Sequence, residues 1–436
     1  MAINCLTHQP FCSKQIALQF IFCTDFKAID LPMGNIPTLF HSLSFCTMIL
    51  IIMFYMPAEA SVFNVETYGA VGNGVEDSTK AFANAWAAAC KAPSATLLVP
   101  GSKTFLVNGL VFQGPCAPGF TFLVEGTIVA PPDPANWNNR LTWFYFQKLQ
   151  QFSLTGNGTI NGQGQAWWLQ CRTKNIHHAY CTDTNRPTAI QFNDCSGLEI
   201  SGLSIVNSPL FHMTFDDCMD VKMLSLKIIA PGDNPNTDGI DIFTCKNFII
   251  NDSSIGTERD DYIAIGEGSF KITITFVTCG PGHGISIGSL GKGNSQADVS
   301  DVKVLGAKLI ETQNGLRIKT WQGGSSMTKD ISFEDIQIVN VGNPIVINQY
   351  YCDLPYPCPN QTSVVKISNV RYNNIHGTSA SKIALKLDCS ESVPCTSITL
   401  SDLSLTLASG GEVSAFCQNA EGVAIGTINP PSCLST

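Results

Sequence analysis

Four short motifs recur along the chain, each running into the same alternating apolar strand behind a different polar residue. They are Asp238-Gly-Ile-Asp-Ile, Asp261-Tyr-Ile-Ala-Ile, His283-Gly-Ile-Ser-Ile and Asn314-Gly-Leu-Arg-Ile. Their leading residues fall 23, 22 and 31 positions apart. The same register extends upstream to Ile190-Gln-Phe192 and Met213-Thr-Phe215, and downstream to Ile345-Val-Ile347 and Leu385-Lys-Leu387. A period in the twenties to thirties with one such strand per repeat is the mark of a solenoid. In a coiled solenoid equivalent positions stack about 4.8 Å apart, the spacing of paired strands. The stacking therefore predicts one ladder on one face, made of two carboxylates, a histidine and the basic pair Arg317 and Lys319.

The rest of the chain agrees with this architecture. From about Leu154 to Leu407 strand-like runs alternate with Gly/Asn turns, and no linker or charge run divides them. The expected fold is all-β, a right-handed parallel β-helix in a single domain, residues 61–436, with about three short strands per coil. A propeller is the competing architecture, but its blades are about 40–50 residues long and carry aromatic signatures absent here. One helical pattern stands out: Phe82, Trp86 and Cys90 recur every four residues, which suits a short N-terminal helix capping the open end of the solenoid. With 44% hydrophobic and 14% charged residues the chain is too apolar for disorder.

The long apolar run Met48–Met56, followed by Ala58-Glu-Ala60, reads as a signal peptide cleaved after Ala60. It is short for a bilayer span, which needs about 20 residues. Met33 is a plausible true start, so residues 1–60 are expected to comprise an N-terminal extension and the signal. Their removal changes the net charge from −9 to −8, because they hold two lysines and three acidic residues. An acidic chain has no general affinity for polyanions, which argues against nucleic acid as a partner.

Fourteen of the 18 cysteines lie beyond Ala60 and fit an oxidising compartment. Short loops suggest Cys171–Cys181, Cys352–Cys358, Cys389–Cys395 and Cys417–Cys433, with Cys90–Cys116 over the cap. Cys195, Cys218 and Cys245 sit in strand-like runs and read as free core thiols. No Cys-x-x-Cys or paired histidine spacing suggests a metal cluster. Sequons at Asn157, Asn251 and Asn360 fit a secreted glycoprotein.

The ladder also carries the chemistry. Asp260 and Asp261 lie one coil from Asp238, and glycoside hydrolysis needs one carboxyl to protonate a leaving oxygen and another to activate water. Crowded carboxylates push one pKa upward, so one stays protonated while others ionise. Alone, an Asp-Asp pair is equally a solvated turn, a helix cap or a calcium site, and Asp216-Asp217 and Asp220 show how common acidic turns are. A lone histidine is usually structural, but the place of His283 suggests that it tunes an Asp. Arg317 and Lys319 share one strand face and suit a clamp for a sugar carboxylate, or else form a solvated pair. Tyr350 and Tyr351 follow in the next coil, where a ring can stack on a sugar or simply pack.

Taken together, Asn236-Thr-Asp238-Gly, Asp260-Asp261, Gly282-His283-Gly284 and Arg317-Ile-Lys319 resemble the signatures of the polygalacturonases, the β-helical glycoside hydrolases that cut pectin, and most of all the plant type. The resemblance runs from about Phe63 to Cys433. It implies inverting hydrolysis of α-1,4-linked galacturonan by a secreted, cell-wall enzyme that acts as a monomer with no cofactor or metal. On that pattern Asp260 is the general acid, Asp238 and Asp261 position and deprotonate water, and His283 assists the acid. Arg317 and Lys319 would hold substrate carboxylates, with Tyr351 and Asn236 touching the sugar. One motif departs from the family pattern Thr-Gly-Asp-Asp-Cys. Thr257-Glu-Arg259-Asp-Asp-Tyr262 is a residue longer, places Arg259 beside the acid, and puts Tyr262 where the partner of Cys279 would stand. Two other readings follow: a pectin-binding wall protein disabled by Arg259, and a calcium-dependent pectate lyase on a similar β-helix.

Overall fold

The computed structural model describes residues 61–173, 186–232, 234–235, 237–257, 260–354 and 356–436. Parallel strands stack into two long sheets, one of 11 strands and one of 22. A coil contributes one strand to the first and two to the second: Thr188–Asn193, Ser196–Ser201 and Ser204–Val206 are followed by Met213–Asp216, Met219–Leu224 and Lys227–Ile229. The strands of these coils pair with their equivalents in the coils before and after, all in parallel. The result is the expected parallel β-helix, right-handed as crossovers between parallel strands are.

Seven strands of the 11-stranded sheet concern the site: β1 (Thr188–Asn193), β2 (Met213–Asp216), β3 (Ile240–Phe243), β4 (Ile263–Ile265), β5 (Ile285–Leu290), β6 (Asn314–Trp321) and β7 (Asn343–Tyr351). Their register is the one read from the motifs. Ile190, Met213, Ile240, Ile263, Ile285, Leu316 and Ile345 are successive partners, all fully buried. A one-residue slip would turn this whole row outward, so burial of one face fixes the register. The alternate row, Gln191, Thr214, Asp241, Ala264, Ser286, Arg317 and Val346, points the other way. Turns between strands are made by Asp194, Asp217 and Asp252 at positive φ, a conformation that Asp tolerates better than most side chains.

A solenoid leaves its first coil open, and α1 (Thr79–Ala89) closes it. Trp86 enters a cluster of phenylalanines, with ring centroids 4.7 Å from Phe112 and 4.8 Å from Phe120. The Cys90–Cys116 disulfide ties the end of this cap to the helix body. Cys352–Cys358, Cys389–Cys395 and Cys417–Cys433 also form as read from the sequence. Cys195, Cys218, Cys245 and Cys279 are free and buried. The remaining pairing, Cys171–Cys181, and the signal segment fall outside the described residues. Of the sequons, Asn157 and Asn360 are exposed, while Asn251 is half-buried and accepts a hydrogen bond from Thr275.

One expectation fails. Strands and turns do not run unbroken from Leu154 to Leu407, because α2 (Gln165–Thr173) intervenes. Two adjacent tryptophans explain it, since a strand would send Trp167 and Trp168 to opposite faces. In the helix both are buried, Trp167 packs 5.6 Å from Trp137, and Trp168 Nε1 donates to the Ser208 carbonyl at 3.1 Å.

Candidate active site

The turns leading into β3, β4 and β5 bring Asp238, Asp260, Asp261 and His283 together. Backbone bonds carry the stacking through these turns: Gly239 N–H donates to Asp261 O at 3.0 Å, and His283 N–H to Asp260 O at 2.8 Å. The longer Thr257–Tyr262 turn therefore keeps its Asp pair in step with the neighbouring coils. Thr257 Oγ1 donates to Asp260 O at 3.1 Å, and Asn234 Nδ2 to Thr257 O at 2.7 Å. Tyr262 is fully buried and Cys279 is free, so packing holds this turn where the family pattern has a disulfide. The motif glycines serve the next coil: Gly284 has φ +93°, and a Cβ there would lie 2.2 Å from the Asn314 carbonyl.

Asp261, at 2% exposure, accepts Arg317 Nη2 on Oδ1 and Lys319 Nζ on Oδ2, each at 2.7 Å. Ser286 ties the same knot, donating to Asp261 Oδ1 at 2.9 Å and accepting from Arg317 Nε at 2.9 Å. Burial by itself would raise the Asp261 pKa, but Arg317 and Lys319 outweigh it and hold the carboxyl well below its usual range. Burial likewise works against the charge of Lys319, and Asp261 reverses the balance, so the ammonium pKa is raised.

One coil earlier the balance is opposite. Asp238 and Asp241 are both buried, and Asp238 is in hydrogen-bond contact with Asp241 and with Asp260. Burial first, then the Asp260 and Asp241 charges, push Asp238 well above the ordinary carboxylate range. Burial also pushes Asp241 up to about 8. Asp260 Oδ2 is buried and receives no hydrogen from a backbone, hydroxyl or cationic donor. The other oxygen, Oδ1, accepts the Asp261 N–H at 2.9 Å and lies 3.5 Å from His283 Nδ1.

All the sequence-derived residues in the described part converge here. Tyr351 flanks them, its ring 5.2 Å from Lys319 Nζ and 5.9 Å from Trp321. Asn236 and Arg259 lie outside the described residues. Arg317 and Lys319, expected to clamp a substrate carboxylate, bind an internal one, that of Asp261. Asp260, Asp261 and His283 place ligand-type atoms within 4.8 Å, a spacing that a cation can bridge. Both Asp261 oxygens are, however, already occupied by cationic nitrogens.

Three contributors escaped sequence reading. Asp241 and Ser286 occupy the same outward row as Arg317, so strict alternation along β3 and β5 was the available signal. His212 is fully buried, with a pKa lowered to about 4 by burial. Its Nε2 accepts from Ser208 N–H at 3.4 Å, which leaves Nδ1–H to donate to the Asp238 carbonyl at 3.0 Å. No spacing in the sequence marks it out.

Comparison with known proteins gives consistent results. Residues 90–433 match the family described as glycosyl hydrolases family 28. The polygalacturonase of Chamaecyparis obtusa is 55% identical over 372 residues, covering 85% of this chain and 72% of the relative. That of Cryptomeria japonica is 54% identical over 371 residues, with the same coverage of 85% and 72%. Among solved structures, the endo-xylogalacturonan hydrolase of Aspergillus tubingensis superposes with a TM-score of 0.73 at 24% identity, covering 85% of this chain and 100% of that one. At that identity the superposition shows the shared fold.

Proposed function

This chain belongs to the glycosyl hydrolases of family 28, and from that premise we propose that it cuts the α-1,4-galacturonosyl linkages of pectin by acid–base catalysis at the Asp238–Asp260–Asp261 cluster. The observation that carries the reading is the convergence of three buried carboxyls in two environments, Asp238 raised by burial and its carboxyl neighbours and Asp261 held low by Arg317 and Lys319 at 2.7 Å. Asp260 gives a proton to the leaving oxygen. Asp261, ionised by its two cations, accepts a proton from the attacking water. Asp238, having passed its own proton to Asp260, becomes able to help position that water. His283 beside Asp260 Oδ1 supports the acid, and Tyr351 meets the sugar. Arg317 and Lys319 keep Asp261 charged and present a positive wall to a substrate carboxylate. Asn236 joins them from the family pattern.

Carboxyl oxygens of Asp260 and Asp261 come within 4.8 Å of each other, closer than the about 6.5–9.5 Å typical of inverting pairs. Inversion is therefore supported by the family likeness rather than by the spacing, and proton NMR of the first-formed anomer tests it. We further propose that residues 1–60 are removed and that residues 61–436 act in the cell wall as a secreted monomer, a reading supported by the disulfides.

The deciding experiment incubates the secreted, glycosylated protein with polygalacturonic acid and a chelator, following reducing ends and the ultraviolet absorbance of unsaturated uronides. Reducing ends alone are expected. Absorbance that needs added calcium would establish a lyase. Binding with neither signal would establish the disabled wall protein.

A further inference from the structure

The outward row that carries Asp241 and Arg317 continues toward the N-terminal coils. Asp241 is in register with Thr214, and Thr214 with Gln191. Next to the carboxyl cluster these side chains open into a cavity of about 390 Å³, lined also by Asp216, Phe243, Thr244 and Glu267. Phe243 lies two positions beyond Asp241 on the same face of β3 and is 40% exposed. An exposed ring among hydroxyls and an amide suits the face and edges of a sugar.

The charge of this cavity is the informative feature. No lysine, arginine or histidine lines it. Asp216 accepts from Thr244 Oγ1 at 2.8 Å and Asn193 Nδ2 at 3.3 Å, and Glu267 from Ser295 Oγ at 3.4 Å. These donors are all neutral, so both negative charges remain uncompensated by any cation among the described residues. Beyond the cluster the groove holds Arg317 and Lys319, which share the single carboxylate of Asp261, and Lys292, whose Nζ lies 5.1 Å from the Trp321 ring and 3.2 Å from Asp353.

We propose that this cavity is a subsite for a galacturonosyl residue whose carboxyl is methyl-esterified. The enzyme would then cut pectin between an esterified residue on the Asp216/Glu267 side and a free carboxylate on the Arg317/Lys319 side. A free carboxylate in the cavity meets two like charges, which disfavours it. An ester removes the repulsion and sets its methyl against Phe243. The inference rests on the hydrolase reading above and adds a substrate pattern to it.

The test digests half-esterified homogalacturonan and sequences the products by mass spectrometry, with the wild type and the double variant Asp216→Asn/Glu267→Gln. Circular dichroism checks that the variant is folded. The residue on one fixed side of each cut is expected to show an ester-to-free-acid ratio about threefold above that of the substrate, the size that screened, partly exposed charges produce. In the double variant the enrichment disappears and kcat/KM on unesterified polygalacturonate rises by about the same factor. Esters at the substrate's own frequency on both sides of the cut, or an enrichment that survives in the folded double variant, overturn the proposal. Failure to cut either substrate instead removes the hydrolase reading, and this inference with it.

Discussion

Asp238 and Asp261 open successive motifs, stand on adjacent coils and are both buried, yet their pKa values are pushed in opposite directions. Asp238 has the Asp241 and Asp260 carboxyls beside its own, which push its pKa up. Asp261 has Arg317 and Lys319 at 2.7 Å, which pull its pKa down. Burial raises both pKa values, so neighbours alone decide between an acid store and a base. The β-helix makes this possible because each coil can bring different side chains to the same position, and the charge of a site can change sign within one strand spacing. The groove repeats the contrast on a larger scale, with Asp216 and Glu267 toward β1 and β2 and two cations, Arg317 and Lys319, on β6.

Removing the junction between the two ends has the largest expected effect. Asp260→Asn keeps the shape but cannot deliver a proton, so kcat should fall by about 10²–10⁴ while the melting curve stays close to wild type. Full activity in that variant takes Asp260 out of the mechanism. Cutting into the basic end comes next. Arg317→Ala removes the bonds to Asp261 and Ser286 but leaves Lys319 in place, so it should cost about 2–3 kcal/mol in denaturant unfolding. It should also move the pH limb of activity set by the base upward, as Asp261 loses part of what holds its pKa down.

The smallest effect belongs to the acid end and is read against pH. Asp238 and Asp241 have raised pKa values in the folded state, with Asp241 at about 8, against about 3.9 in an unfolded chain. Between these limits the folded state binds more protons than the unfolded one, so stability falls as pH rises from about 4 to about 8. Asp241→Asn cannot ionise and should flatten that decline in melting temperature. A decline of unchanged slope would show that Asp241 is not held protonated.

The Asp261 end carries the reverse dependence. Its depressed pKa contributes stability above about pH 4 that is lost on acidification.

The alternation of isoleucines with polar residues was enough to specify the coil, the register from Ile190 to Leu387 and the ladder of Asp238, Asp261 and His283. That pattern is local, and burial of one face permits a single pairing. Four disulfides and the capping helix under Trp86 were legible for the same reason, being contacts close in sequence. Helix α2 was not, because its cause is the distant contacts of Trp137 with Trp167 and Ser208 with Trp168. The charge states of the site belong to the tertiary structure too. Asp238 and Asp261 are alike in sequence context. Only the stacking of coils, which sets Asp241 and Asp260 against one and Arg317 and Lys319 against the other, makes one an acid and the other a base.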